Sequence, residues 1–200
     1  MLQINSLAFD YHDTPLLRGV QFSLQGGELL HLRGGNGAGK TTLLRLLAGL
    51  LQPLEGDILW DDHSIHNDLP SYQRNVCYIG HKTGLSPELT VKENCCLDLH
   101  APGRITSFST LLEQFNLAGL AHKPCYQLSQ GQRRRVALLR VAITRARLWL
   151  LDEPLVALDN AAIISFTDCL KQHLFDGGLI IMTSHQNLPA NFVNYAEYSL

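Results

Sequence analysis

Two hundred residues correspond to about one and a third typical domains, so one compact unit with a subdomain inserted in it is expected. Hydrophobic residues make up 46% of the chain and charged residues 17%, a globular balance that excludes a disordered or fibrous polymer. Sixteen Lys and Arg against eighteen Asp and Glu leave a net charge of −2, so overall charge offers nucleic acid no attraction and none is expected as a partner.

The elements follow in chain order. Leu2 and Ile4, then Val20, Phe22 and Leu24, alternate with polar residues as half-buried strands do. The opening MLQINSLAFDY has no basic segment followed by an apolar one, so no secretory signal is expected and a cytosolic setting is. Leu29, Leu30 and Leu32 predict a short apolar strand ending at Gly34. The leucine-rich stretch 40–51 predicts a buried helix stopped by Pro53. Neither its apolar part nor 179–182 approaches the roughly 18 residues that span a bilayer. Short strands are expected at 58–60 and 76–79, and helices at 107–115 and 130–145. A continuous apolar strand follows at 148–151, then a helix over 161–175 closed by Gly177 and Gly178, and a last buried strand at 179–183. Strands alternating with helices imply an α/β fold with a mainly parallel sheet covered on both faces. The strand-poor middle predicts a helical subdomain at 83–145, inserted into an α/β core formed by 1–82 and 146–200.

Five cysteines (Cys77, Cys95, Cys96, Cys125 and Cys169) contain no CxxC pair, and adjacent Cys95 and Cys96 lack the spacing of a zinc site, so reduced thiols are expected. His63 and His66 sit in the polar stretch DDHSIHND, which reads as a solvated loop rather than a metal or haem site.

Residues 34–41, GGNGAGKT, match G-x-x-x-x-G-K-[ST] between a strand and a helix, the context that gives this motif its meaning. Backbone N–H groups must point inward at phosphate oxygens, so side chains at Gly34, Gly37 and Gly39 would block the approach or the required φ angles. The helix N-terminus adds partial positive charge, Lys40 a full one near the outer phosphates, and the Thr41 hydroxyl an oxygen for Mg²⁺. A nucleoside triphosphate is expected here. The strand LWLL ends in Asp152 and Glu153, and the C-terminal edge of a parallel sheet is where ligands of open α/β sheets sit. Asp152 is suited to hold Mg²⁺ and Glu153 to polarise an attacking water. Ser129 precedes a helix and either caps it or, with Gly131, grips a phosphate from outside. Arg133, Arg134 and Arg135 wind about 200° around that helix, so most of the run is expected on a solvated or partner-facing surface. His185, at the end of the last buried strand, is expected to reach the terminal phosphate.

In this order the pieces resemble the nucleotide-binding subunit of ATP-binding-cassette (ABC) transporters, over nearly the whole chain. The resemblance implies a P-loop NTPase fold with antiparallel N-terminal strands and an inserted helical signature subdomain. It implies Walker A contacts to ATP from Gly34, Gly35, Asn36, Gly37, Ala38, Gly39, Lys40, Thr41 and Thr42. Mg²⁺ would sit on Thr41 and Asp152, with Glu153, Lys40 and a switch histidine at His185 as the catalytic set. Ser129, Gly131 and Gln132 would contact the ATP of a second subunit across a head-to-tail homodimer. A D-loop is implied around Asp159. Tyr11 stands where this family stacks an aromatic on adenine, and a core tyrosine is the alternative reading. GGNGAGKTTLLRLLAGLL, YIGHKTGLSPELTVKEN and LSQGQRRRVALLR are most similar to the ATP-binding subunit of the haem exporter of cytochrome c maturation. Most cassettes carry Gln where this chain has His81, and Gly where it has Gln130. The haem-exporter branch shares the histidine, which is expected in a coupling loop. The partners implied are the haem-exporter permease and associated maturation factors, at the cytoplasmic face of the bacterial inner membrane, with peripheral attachment. No haem binding is expected on this subunit. The alternatives are the same chemistry with another cargo, such as lipids or drugs, and a soluble cassette acting on DNA or ribosomes.

Overall fold

The computed structural model describes residues 1–11, 14–96, 108–184, 192 and 195–200. Strands β1 (Leu2–Tyr11), β2 (Thr14–Leu24) and β3 (Leu29–Arg33) lead into helix α1 (Lys40–Leu47). Then come β4 (Glu55–Trp60), β5 (His63–Ser64), α2 (Leu69–Gln73), β6 (Val76–Ile79), α3 (Val91–Cys96) and α4 (Phe108–Gln114). A 3₁₀ turn (Cys125–Gln127), α5 (Gln130–Ile143), β7 (Leu148–Leu151), α6 (Asn160–Phe175), β8 (Leu179–Thr183) and β9 (Ala196–Ser199) complete the chain.

Two compact units result. The first contains Met1–Tyr78, Ala146–Glu153 and His173–Leu200, and the second Ile79–Arg145 and Pro154–Gln172. In the first, an antiparallel sheet of order β2-β1-β4-β5 accompanies a five-stranded sheet of order β6-β7-β8-β3-β9, in which β3 runs parallel to β8 and β9, and β7 to β8. Every residue of β7 and β8 is buried, as continuous apolar runs require when both faces are covered. Leu43, Leu44, Leu46 and Leu47 of α1 pack into one core with Leu2, Ile4, Ile58, Leu150 and Ile181. The first unit also holds two tryptophans. Trp149 lies flat on the ring of His173 at 3.7 Å, and Arg147 sits over Trp60 at 5.0 Å while pairing with Asp61. In the second unit α3 packs on α5.

Four expectations need correction. The helix expected over 40–51 ends at Leu47, and Gly49 rather than Pro53 stops it. Gly49 takes φ +67° and donates to Leu46 O while Leu50 donates to Arg45 O, a Schellman ending that only a left-handed residue closes. The polar stretch around His63 and His66 is not wholly loop, because His63 and Ser64 pair with Trp60 and Leu59 and bury Ile65. Of the solvated or partner-facing surface expected for most of the arginine run, the solvated reading does not hold: Arg134 is buried at 6% exposure, and Arg133 and Arg135 are half-buried. The helix expected at 130–145 ends two residues early, at Ile143, with Thr144 in extended backbone.

Candidate functional site

Strand β3 delivers the chain into the glycine loop, with Gly35, Asn36 and Gly37 exposed and Gly34 and Ala38 half-buried. Gly39 is the residue on which the turn into α1 depends. It has φ +98°, and a Cβ there would lie 2.7 Å from Leu17 Cδ2. Having no side chain, it leaves the first N–H groups of α1 uncapped, so they and the helix dipole face the loop. Lys40, at 8% exposure, folds its Nζ over the loop and donates to Gly34 O at 2.7 Å and Gly35 O at 2.9 Å. Its charge is therefore held at the mouth of the same cradle. Thr41 is half-buried and Thr42 buried beside it.

The parallel register brings the end of β7 to this loop. Thr41 Oγ1 donates to Asp152 Oδ2 at 2.7 Å, and Thr183 Oγ1 donates to Asp152 Oδ1 at 2.8 Å. Thr183 Oγ1 also accepts the Glu153 N–H at 2.8 Å, at a residue whose φ of +49° turns the chain out of the strand. Thr183 was not among the expected site residues, although its hydroxyl closing an otherwise apolar strand was a visible signal. Hydroxyl and carboxylate oxygens are the donor set that Mg²⁺ takes, and the uncapped N–H groups with Lys40 suit a polyphosphate. Among the described residues no cluster of three His, Cys, Asp or Glu side chains is poised to hold a metal.

Tyr11 is 41% exposed, edge-on to Phe9, so it does not occupy the core. The phenols of Tyr78 and Tyr11 stand near the Arg45 guanidinium and raise its pKa. The second unit carries the remaining expected residues. Ser129 is the N-cap of α5 and completes a capping box: Gln132 N–H donates to Ser129 Oγ at 3.1 Å, and Ser129 N–H to Gln132 Oε1 at 2.9 Å. Ser129 and Gln130 are exposed, and Gly131 lies against Ala157 O. Arg135 pairs with Asp159 at 3.0 Å, and Asp159 in turn accepts the Ala162 N–H at the start of α6. His81 is exposed, two residues beyond β6. His185 lies outside the described residues.

Below the loop, His31 of β3 is fully buried, and its Nε2 approaches Ser184 O at 3.3 Å. Arg33 Nε lies 3.5 Å from Nδ1, which assigns Nε2 as the protonated nitrogen that donates to Ser184. Burial pushes the His31 pKa below its ordinary 6.5 and Arg33 adds to this, against the opposing pull of Ser184 O and Glu197. A histidine that is less basic folded than unfolded contributes stability fully above its ordinary pKa and loses it as pH falls. Stability should therefore fall as the pH is lowered through about 6.5, by up to about 1 kcal/mol per pH unit from this group, and the thermal midpoint should fall with it. Melting curves of His31→Gln should show a flatter pH dependence, and an unchanged slope would remove His31 as its source.

The model of the family described as "ABC transporter" matches residues 17–156. A cytochrome c biogenesis ATP-binding export protein CcmA from Legionella pneumophila (strain Lens) is 50% identical over 201 residues, all of both chains. A protein of the same name from Escherichia coli O6:H1 is 43% identical over 94% of this chain and 90% of its own. A solved structure described as "Structure of ATP binding subunit of ABC transporter" superposes with a TM-score of 0.83 at 27% identity, covering 92% of this chain and 80% of that one.

Proposed function

This chain belongs to the ABC transporter family, and within it to the cytochrome c biogenesis ATP-binding export proteins; from that premise we propose that it is the ATP-hydrolysing subunit of a membrane complex that exports or releases haem for cytochrome c maturation. The observation that carries this reading is the full-length 50% identity, which spans the glycine loop, the carboxylate pair and the signature segment together. The chain is an ATPase by family. Haem as cargo, and a haem-exporter permease with its maturation factors as partners, are the finer parts of the proposal.

The residues divide the work as follows. The N–H groups at the start of α1 and Lys40 bind the phosphates, and Tyr11, exposed, offers its ring to adenine. Thr41 and Asp152 hold Mg²⁺, which when bound neutralises charge on the outer phosphates. The hydroxyls of Thr41 and Thr183 orient the Asp152 carboxylate for that duty. Glu153, fixed through its backbone by Thr183, takes the proton of the attacking water. His185 stabilises the terminal phosphate, and Ser129, Gly131 and Gln132 complete the site of a second copy in a head-to-tail homodimer. The loop carrying His81 docks the membrane subunits. Among the described residues no helix is long and apolar enough to cross a membrane, which suits a subunit held peripherally at the cytoplasmic face of the inner membrane.

Complementation tests the reading. A bacterium deleted for its own copy should lose holo-cytochromes c, and this chain should restore them while Glu153→Gln should not. Normal cytochromes in the deletion strain, with loss of lipid or drug export instead, would move the cargo to another class.

A further inference from the structure

Strand β3 reads LLHLR, and a histidine in the middle of it is costly to bury. His31 is fully buried between β8 and β9, opposite Met182 on one side and Glu197 on the other. An aliphatic side chain would fill the same space with no polar atom to satisfy. The imidazole is instead clamped by its surroundings. Arg33 Nε stands 3.5 Å from Nδ1 and 3.1 Å from Glu197 Oε1, and that carboxylate lies 3.7 Å from Nδ1. The ring of Tyr195 meets the imidazole edge-on at 6.0 Å. So oriented, Nε2 addresses the carbonyl of Ser184.

Ser184 is the first residue beyond β8, and the last paired residues of β3 and β8 are Leu32 and Thr183. The imidazole thus holds the chain where the ladder stops. The neighbouring Thr183 donates to Asp152 Oδ1 and accepts the Glu153 N–H, each at 2.8 Å. We propose that His31 is a positioning residue for ATP hydrolysis: by donating from Nε2 to Ser184 O it pins the end of β8 and so sets where Thr183 holds Asp152 and Glu153. The bond needs no change of charge, because the neutral ring protonated on Nε2 and the imidazolium both donate from that nitrogen. All these residues belong to the unit that holds the sheets. The consequence for turnover rests on the reading that Asp152 holds Mg²⁺ and Glu153 takes the proton of the attacking water.

The test compares hydrolysis by the full chain in wild type, His31→Leu, His31→Asn and His31→Gln. Leucine has no donor, the amide of asparagine falls short of the Nε2 position, and the amide of glutamine reaches it. At saturating Mg-ATP the rate should fall about ten-fold in His31→Leu and His31→Asn, and stay within about three-fold of wild type in His31→Gln. Nucleotide affinity should move less than about two-fold in all three, since the loop that binds phosphate is untouched. A merely structural role would instead rank the rates by melting temperature and weaken binding along with them. Exchange of the Glu153 amide, whose acceptor is Thr183 Oγ1, reads the same connection without nucleotide. It should quicken in His31→Leu and His31→Asn and not in His31→Gln. If His31→Leu fails to fold, the contrast between asparagine and glutamine decides. A wild-type rate in His31→Leu, equal losses in His31→Asn and His31→Gln, or a slowed rate with unchanged Glu153 exchange would overturn the proposal. Glu153→Gln, assayed alongside, separates the two ideas: undiminished turnover there would overturn the catalytic reading, and Glu153 amide exchange in the His31 variants would still decide the positioning.

Discussion

Glu153→Gln is expected to retain ATP binding and lose hydrolysis by about 10²–10⁴-fold, the range typical for removal of a general base. The amide keeps the size of the side chain and its ability to orient water but has no useful proton affinity. The fold should be undisturbed, because Thr183 holds this position through the Glu153 N–H rather than through its side chain. The carboxylate that Thr41 and Thr183 grip belongs to Asp152 and is also untouched. With binding intact and turnover stalled, the variant should accumulate as an ATP-bound dimer on gel filtration. Single-turnover hydrolysis and nucleotide titration separate the two properties, and near-normal turnover would remove Glu153 from its role.

Ser129→Arg is expected to spare ATP binding by an isolated subunit and still abolish steady-state turnover. Ser129 is exposed at the tip of α5, so the longer side chain is accommodated without disturbing the core of its own unit. It removes the cap, a cost of about 1 kcal/mol to the helix, which thermal melting will register as a modest change. The main effect is exerted on the neighbouring copy, where bulk and charge meet its nucleotide. Mixing Ser129→Arg with Lys40→Ala makes this visible, since one composite site of the mixed dimer then combines two wild-type halves. With independent sites, an equal mixture should recover up to about a quarter of wild-type turnover, although each parent is inactive. A mixture as inactive as its parents means either that both sites must fire together or that the pairing is not head-to-tail. ATP-dependent dimerisation of the mixture distinguishes these.

Much of the first unit was legible because its elements are long enough to carry a period or are closed by strong punctuation. Strands β6, β7 and β8 stand where continuous apolar runs were bounded by polar residues, and the glycine loop was readable from its own chemistry. The end of α1 was misread because proline is the more conspicuous stop signal, whereas the hydrogen bonds of a left-handed Gly49 do the stopping. The two-residue β5 and the four-residue β9 are too short for alternation to register, and they exist because β4 and β3 offer them edges. Arg134 shows the other limit. Three consecutive arginines winding around a helix read as mostly a solvated or partner-facing surface, whereas Arg134 is buried and donates to a carbonyl 54 residues away. Thr183 was legible as the end of a strand and not as the hydroxyl on which Asp152 and Glu153 converge, since that depends on the alignment of β8 beside β7.

The two tryptophans have an optical consequence. Trp149, stacked on His173, and Trp60, beneath Arg147, are the protein's whole complement of indoles, and both belong to the unit that holds the sheets. Tryptophan emission, excited selectively during denaturation, is therefore a reporter for that unit alone and is silent about the helices of the other. Far-ultraviolet dichroism draws on α3, α4 and α5 as well, so the two signals recorded together reveal whether the units melt in one transition or in two.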